Sequence, residues 1–195
     1  MASKSVSYSK IVLLGLLLWF TAALVLGLSG KIAEIPFPFP QVILFGLVVV
    51  QLIIFGLSAG FRSWICDYGI KYLVAVHLSR FVGIYFLYLY SMQMLPYDFA
   101  VKGGVGDIIV ATAALIILVF VSSRHESKKK IYLFWNTFGL IDIIFVVATA
   151  GRIGMNSPQS IENLLKIPLS LLPTFLVPII IFTHIVIYIR LLKEE

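Results

Sequence analysis

Residues 41–60 read QVILFGLVVVQLIIFGLSAG, twenty residues without one charged side chain. As an α-helix rising 1.5 Å per residue, such a run spans about 30 Å, the thickness of a bilayer's hydrocarbon core. Hydrocarbon offers no water to bond, so each unpaired backbone N–H or C=O there costs several kcal/mol and the chain is driven into helix. Five more blocks of this kind surround it, at about 11–29, 70–92, 105–122, 131–150 and 169–190. They predict an all-α integral membrane helical bundle with about six transmembrane helices, forming a single domain over 1–195.

Composition agrees. The chain is 61% hydrophobic and 12% charged, where soluble chains carry about 25% charged residues, and its mean hydropathy is +1.05. The net charge of +6 invites a nucleic-acid partner. The charges fall in short loops, however, so the lipid bilayer is the expected partner and nucleic acid is not. With the N-terminus inside, ten basic residues face the cytoplasm: Lys4, Lys10, Arg62, Lys71, Arg124, Lys128, Lys129, Lys130, Arg190 and Lys193. Four face outward, Lys31, Lys102, Arg152 and Lys166, and Arg80 is left inside a span. This asymmetry predicts that both termini are cytoplasmic.

Lys4 and Lys10 precede the first span, and Gly27 and Ser29 would pass as a small-residue cleavage site. The apolar run nevertheless exceeds a signal peptide's core of about 7–15 residues, so it reads as a retained span. Cys66 is the one cysteine, which excludes an intrachain disulfide and a cysteine-rich metal site. Trp64, Tyr68, Tyr72, Tyr132 and Trp135 are placed at the inner interface and Tyr90 and Tyr97 at the outer one, with Trp19 inside the first span against lipid or a neighbour. The segment 158–167 puts Ile161, Leu164 and Leu165 on one helical face and reads either as a short helix on the outer surface or as a loop.

Ionisable residues inside a span cost at least ~2.5 kcal/mol each near the centre, so they are expected to face the bundle interior in pairs. His77 and Arg80 share a face of the third span at i, i+3 spacing. Asp142, at mid-depth in the fifth span, is the natural partner of Arg80, with Asn136 nearer the cytoplasm on the same helix. Asp107 opens the fourth span and is followed by Thr112, His184 lies in the inner half of the sixth, and Gln51 sits mid-way along the second. A polar track from Arg152 and Asp107 through Arg80 and Asp142 to His77, His184 and Asn136 is possible by depth. Each member also has a plain structural reading. Asp107, after Gly103, Gly104 and Gly106, suits a helix cap. Arg80 with Asp142 suits a structural ion pair, and the histidines suit hydrogen-bonded helix contacts. His125, in the basic loop, reads as a solvated surface residue.

Pro173 and Pro178 should kink the sixth span and free carbonyls that a neighbour or ligand must satisfy. The run from Leu95 to Gly106 reads either as an ordinary outer loop or as a segment dipping back into the membrane. The pattern Arg80, Gly83, Leu95-Pro96, Phe99-Ala100, Gly103, Gly106-Asp107, Asn136, Gly139, Asp142, Val177-Pro178 and His184 resembles a group of small, uncharacterised bacterial polytopic membrane proteins. The resemblance implies a helical bundle in a bacterial inner membrane and brings no activity with it.

No GxxxxGK[ST], HExxH or GxSxG motif occurs, and no lysine lies deep in a span where a retinal Schiff base would need one. Three readings stand. In the first, the protein binds or transports a small solute, an anionic group on it suiting Arg80, or protons near Arg80, Asp142 and Asn136, with Asp107, His77 and His184 as proton sites. In the second, His77 and His184 ligate a haem iron or another metal in a membrane redox protein or enzyme. In the third, the chain is a structural or accessory protein whose polar residues only hold the bundle. The cofactor is open, and a homodimer is a candidate assembly.

Overall fold

The computed structural model describes residues 2–121 and 128–193, with side chains from residue 8 onward. Arg124 and His125, and the side chain of Lys4, lie outside the described residues. The described residues form helices joined by short turns, with no strand among them. Six stretches are long and apolar enough to cross a membrane: Tyr8–Leu28, Phe39–Leu57, Ile70–Ser91, Asp98–Phe120, Lys128–Asn156 and Leu172–Lys193. The even number puts both termini on one face, called here the terminal face.

Helix α1 (Ala2–Leu28) is followed by a 3-10 turn (Lys31–Glu34) and α2 (Phe39–Leu57). A short helix, α3 (Ala59–Asp67), lies at the terminal face between the second and third spans. The third span is composite: α4 (Ile70–Val76), a 3-10 segment (His77–Phe81) and α5 (Val82–Ser91). The fourth begins with a π-helical turn (Asp98–Gly103) that runs into α6 (Gly104–Phe120). Residues 98–103, which the sequence left between loop and re-entrant segment, thus extend the fourth span, with Phe99 and Ala100 buried. Helix α7 (Lys128–Asn156) is unbroken, and a 3-10 segment (Pro158–Leu165) lies across the opposite face with Ile161, Leu164 and Leu165 buried. The sixth span starts with a π-helical segment (Leu172–Leu176) and continues as α8 (Val177–Lys193).

The last span is the most buried and the first the least, 56% against 11% of the window. Accordingly α8 touches α2, α4 and α7, while α1 lies at the periphery. Large apolar side chains cover the outside, Leu57 at 85%, Phe134 at 78% and Phe120 at 75% exposed. In water such a surface would drive aggregation, but against lipid it costs nothing.

Basic residues close helix ends at the terminal face. Arg62 Nη1 donates to Gly56 O (2.7 Å) at the end of α2, and Lys71 Nζ to Leu118 O (3.1 Å) at the end of α6. Arg190 donates to Tyr68 O at the end of α3. Each cation meets carbonyls that the helix leaves unpaired, at the negative end of its dipole. Phe61, Trp64, Tyr68 and Tyr72 pack ring against ring in series beside them, as expected of a membrane–water boundary.

At Pro178 a carbonyl is freed, as the sequence suggested. Pro178 has no N–H for the carbonyl four residues earlier, and Thr174 O instead accepts Trp19 Nε1 of α1 at 2.8 Å. Trp19 therefore anchors the peripheral helix to the bundle.

Candidate functional site

Two of the three apolar clusters lie on either side of the polar residues. The one nearer the terminal face holds Val74, Val110, Trp135 and Val186, and the one nearer the opposite face holds Phe86, Ala100 and Val146. Arg80, Asp107 and Asp142 each fall between these positions on their own helices.

Arg80 is 1% exposed. Its Nε donates to Asp107 Oδ1 at 2.6 Å, its Nη1 to Gly139 O at 2.8 Å, and its Nη2 pairs with Asp142 Oδ2. Asp107 is buried and Asp142 nearly so, with side chains 4% and 11% exposed. One guanidinium thus serves two carboxylates. Asp107 makes no side-chain cap at the start of α6, so the cap expected from the neighbouring glycines gives way to an ion pair.

The glycines have a different task, which is to admit close neighbours. A Cβ on Gly104 would lie 2.9 Å from Gly83 O, and one on Gly83 would strike Gly104 O. That approach of α5 and α6 brings Arg80, one turn before Gly83, against Asp107, one turn after Gly104. A Cβ on Gly106 would overlap the Asp142 carboxylate, and one on Gly139 would come within 2.7 Å of His184 Cε1. Small residues at such contacts are how membrane helices approach without a hydrophobic driving force.

The 3-10 segment His77–Phe81 sets the azimuth of the third span. At three residues per turn, positions i and i+3 eclipse, so His77 and Arg80 lie on one ridge. Ser79 Oγ donates back to Val76 O at 2.7 Å, a local bond that competes with regular helix.

Toward the terminal face lies a second polar group. His77 and His184 are fully buried with ring centroids 4.1 Å apart. His77 Nε2 meets Thr183 Oγ1 at 3.2 Å and His184 Nδ1 meets Asn136 Oδ1 at 2.8 Å, while Asn136 Nδ2 donates to His184 O at 3.1 Å. His77 Nδ1 and His184 Nε2 have no hydrogen-bond partner. Trp135 stands edge-on to His77 and donates from Nε1 to Val110 O at 3.1 Å. Gly139 joins the two groups, its carbonyl on Arg80 and its Cα face on His184.

The haem expectation for the histidine pair fails on geometry. With metal–nitrogen bonds of about 2 Å on either side, trans axial ligands hold their ring centroids more than ~6 Å apart, and a porphyrin lies between them. These rings touch. Among the described residues no group of three or more His, Cys, Asp or Glu is placed to hold a metal ion.

The track proposed from depth stops short at its outer end. Arg152 is exposed and pairs with Asp98 at 2.9 Å, away from the cluster. Thr112 is exposed on α6, and Gln51 donates to Leu47 O (3.2 Å) on its own helix. Thr183 and Ser79 are the contributors that the sequence reading passed over. Each adjoins a residue already suspected, and that adjacency is the one signal that would have drawn attention to them.

A cavity of about 70 Å³ lies beside the cluster, toward the opposite face. Arg80, Asp107 and Ser79 line one part of it, and its remaining wall is mostly apolar, including Phe86, Val146 and Leu176.

A family model described as a domain of unknown function (DUF8737) matches residues 37–192. The chain belongs to this family. The DUF8737 region takes in the last five spans, the ion cluster, the histidine pair and the cavity, and leaves out α1, the least buried helix. No curated protein and no solved structure matches the chain.

Proposed function

We propose that this polytopic membrane protein binds or transports a small solute at the Arg80–Asp107–Asp142 cluster and exchanges a proton there. The charge count carries this reading: one buried guanidinium faces two carboxylates beside a cavity. Arg80 balances one of them. The other calls for a proton or a cation, because an unbalanced ion in a low-dielectric interior costs several kcal/mol. A site that becomes neutral only by taking up positive charge is suited to exchanging it. The same count turns the reading away from an anionic solute, which would add a third negative charge.

The histidine pair supports proton exchange. Two imidazoles with unpaired nitrogens lie on the terminal-face side of the carboxylates, separated from them by the Gly139 turn. With that face cytoplasmic, as the Lys/Arg asymmetry argues, the cavity lies on the outer side of the cluster and the histidines on the inner.

Infrared difference spectroscopy of the full chain in nanodiscs, stepped across pH, tests this. A protonated-carboxyl carbonyl band should change with pH, shift in heavy water, and vanish in Asp142→Asn or Asp107→Asn. If no such band titrates, the exchange site is refuted.

A structural reading has one specific observation in its favour, the three bonds by which Arg80 joins α6 and α7. Under it, replacing Arg80, Asp107 and Asp142 together by leucine preserves everything the protein does.

A further inference from the structure

We infer that the cavity beside Asp107 is a binding site for a short-chain amine, its hydrocarbon body among the apolar side chains and its ammonium head on the Asp107 carboxylate. This rests on the binding function proposed above and names the ligand class.

Size comes first. The enclosed part, ~70 Å³, is about half of the ~150 Å³ of an apolar cavity that binds benzene. That holds an ammonium head and its first few carbons, leaves the end of a six-carbon chain in the open part of the pocket, and excludes a diacyl lipid.

The wall comes second. Phe86, Phe99, Val146, Leu172, Leu176 and Val177 offer carbon to most of any occupant. A sugar or hydrated ion would lose its hydrogen bonds there, at a cost of a few kcal/mol per polar group. A hydrocarbon without a head would satisfy the wall but leave the polar end unanswered.

The chemistry of that end comes third. Arg80 takes Oδ1 of Asp107, which leaves Oδ2 for another donor. Ser79 Oγ spends its own proton on Val76 O and keeps its lone pairs. Two acceptors therefore line the polar end of the cavity, and an ammonium brings three donors and the positive charge that the cluster needs. The Arg80 guanidinium opposes a second cation, but two carboxylates outnumber it. A carboxylate or phosphate head would find the Arg80 N–H groups not used in its three bonds, but it would also meet two acceptors and add to the surplus negative charge.

The test uses the full chain in nanodiscs of zwitterionic choline lipid and a six-carbon primary amine carrying a mid-chain diazirine. Labelled peptides are mapped by mass spectrometry, with n-hexylamine, n-hexanol and hexanoate as competitors. The expected result is saturable labelling of wall residues such as Val146 or Leu176. Hexylamine should displace the label at concentrations about tenfold or more below hexanol, the scale of one charge-assisted bond, and hexanoate should not displace it. Asp107→Asn should weaken labelling about tenfold or more, and Val147→Phe should abolish it by filling the cavity away from the ion pairs. The inference is overturned if labelling never saturates and falls on lipid-facing residues, if hexanoate competes as well as hexylamine, or if Asp107→Asn labels like the wild type. The competition series needs no variant, so a misfolded substitution does not decide the matter. A titrating carboxyl band without saturable labelling would sink the amine alone. Saturable labelling without the band would sink proton exchange alone.

Discussion

Replacing Arg80 with leucine removes the one cation from a site that keeps two carboxylates and the Gly139 carbonyl. Breaking a buried ion pair by deleting one partner costs about 3–5 kcal/mol, because the remaining charge is stranded. Here the carboxylate that Arg80 balanced is stranded beside a second that already needs a proton or a cation, so the losses are coupled and the single-pair range serves as the scale. At ~2–4 °C per kcal/mol for a chain of this size, the melting temperature should fall by roughly 6–20 °C. The assay is the monodisperse fraction surviving in size-exclusion chromatography after heating in detergent. The double Arg80→Leu, Asp142→Leu variant should stay near the single variant, since Asp107 remains buried without a partner. The triple Arg80→Leu, Asp107→Leu, Asp142→Leu variant should recover wild-type stability or exceed it by about 1–4 kcal/mol, as apolar replacements of buried ion clusters do. A single variant that melts with the wild type, or a triple variant no better than the single, refutes the charge-balance reasoning.

Gly83→Ala sets a Cβ against the Gly104 carbonyl, an overpacking worth about 1–3 kcal/mol of lost stability. Gly46→Ala meets nothing within 4 Å and should be neutral or gain up to ~1 kcal/mol, which the same heating assay will separate. Asn136→Leu removes both bonds to His184 and should cost about 1–3 kcal/mol, with the shift of the His184 ring signals in NMR as a second readout. Arg152→Gln breaks an exposed pair with Asp98 and should change stability by less than ~1 kcal/mol. A loss as large as that of Arg80→Leu would place Arg152 in the polar core after all.

The spans were legible because hydropathy averaged over twenty residues depends on composition alone. Depth was legible too, since a helix rises a fixed 1.5 Å per residue, and this is why Arg80 and Asp142 could be matched in advance. Azimuth was not legible. Asp107 looked like a cap because its glycines looked like loop, and only the contact of Gly83 with Gly104 turns it onto Arg80. Arg152 looked like the mouth of a track, yet it turns outward to Asp98. His77 and His184 were matched in depth, but the rotation that sets their ring centroids 4.1 Å apart was not legible.

The sequence by itself therefore determined the solvent, the number of crossings and the level of each polar residue. Which side chains meet was decided by the tertiary structure. The 3-10 segment at His77–Phe81 advances about 120° per residue where an α-helix advances about 100°, and the π-helical turns before α6 and α8 re-phase those spans in the other direction. Such shifts leave no mark in hydropathy and rotate every residue that follows. They bring one arginine, two carboxylates and two histidines to the same interior.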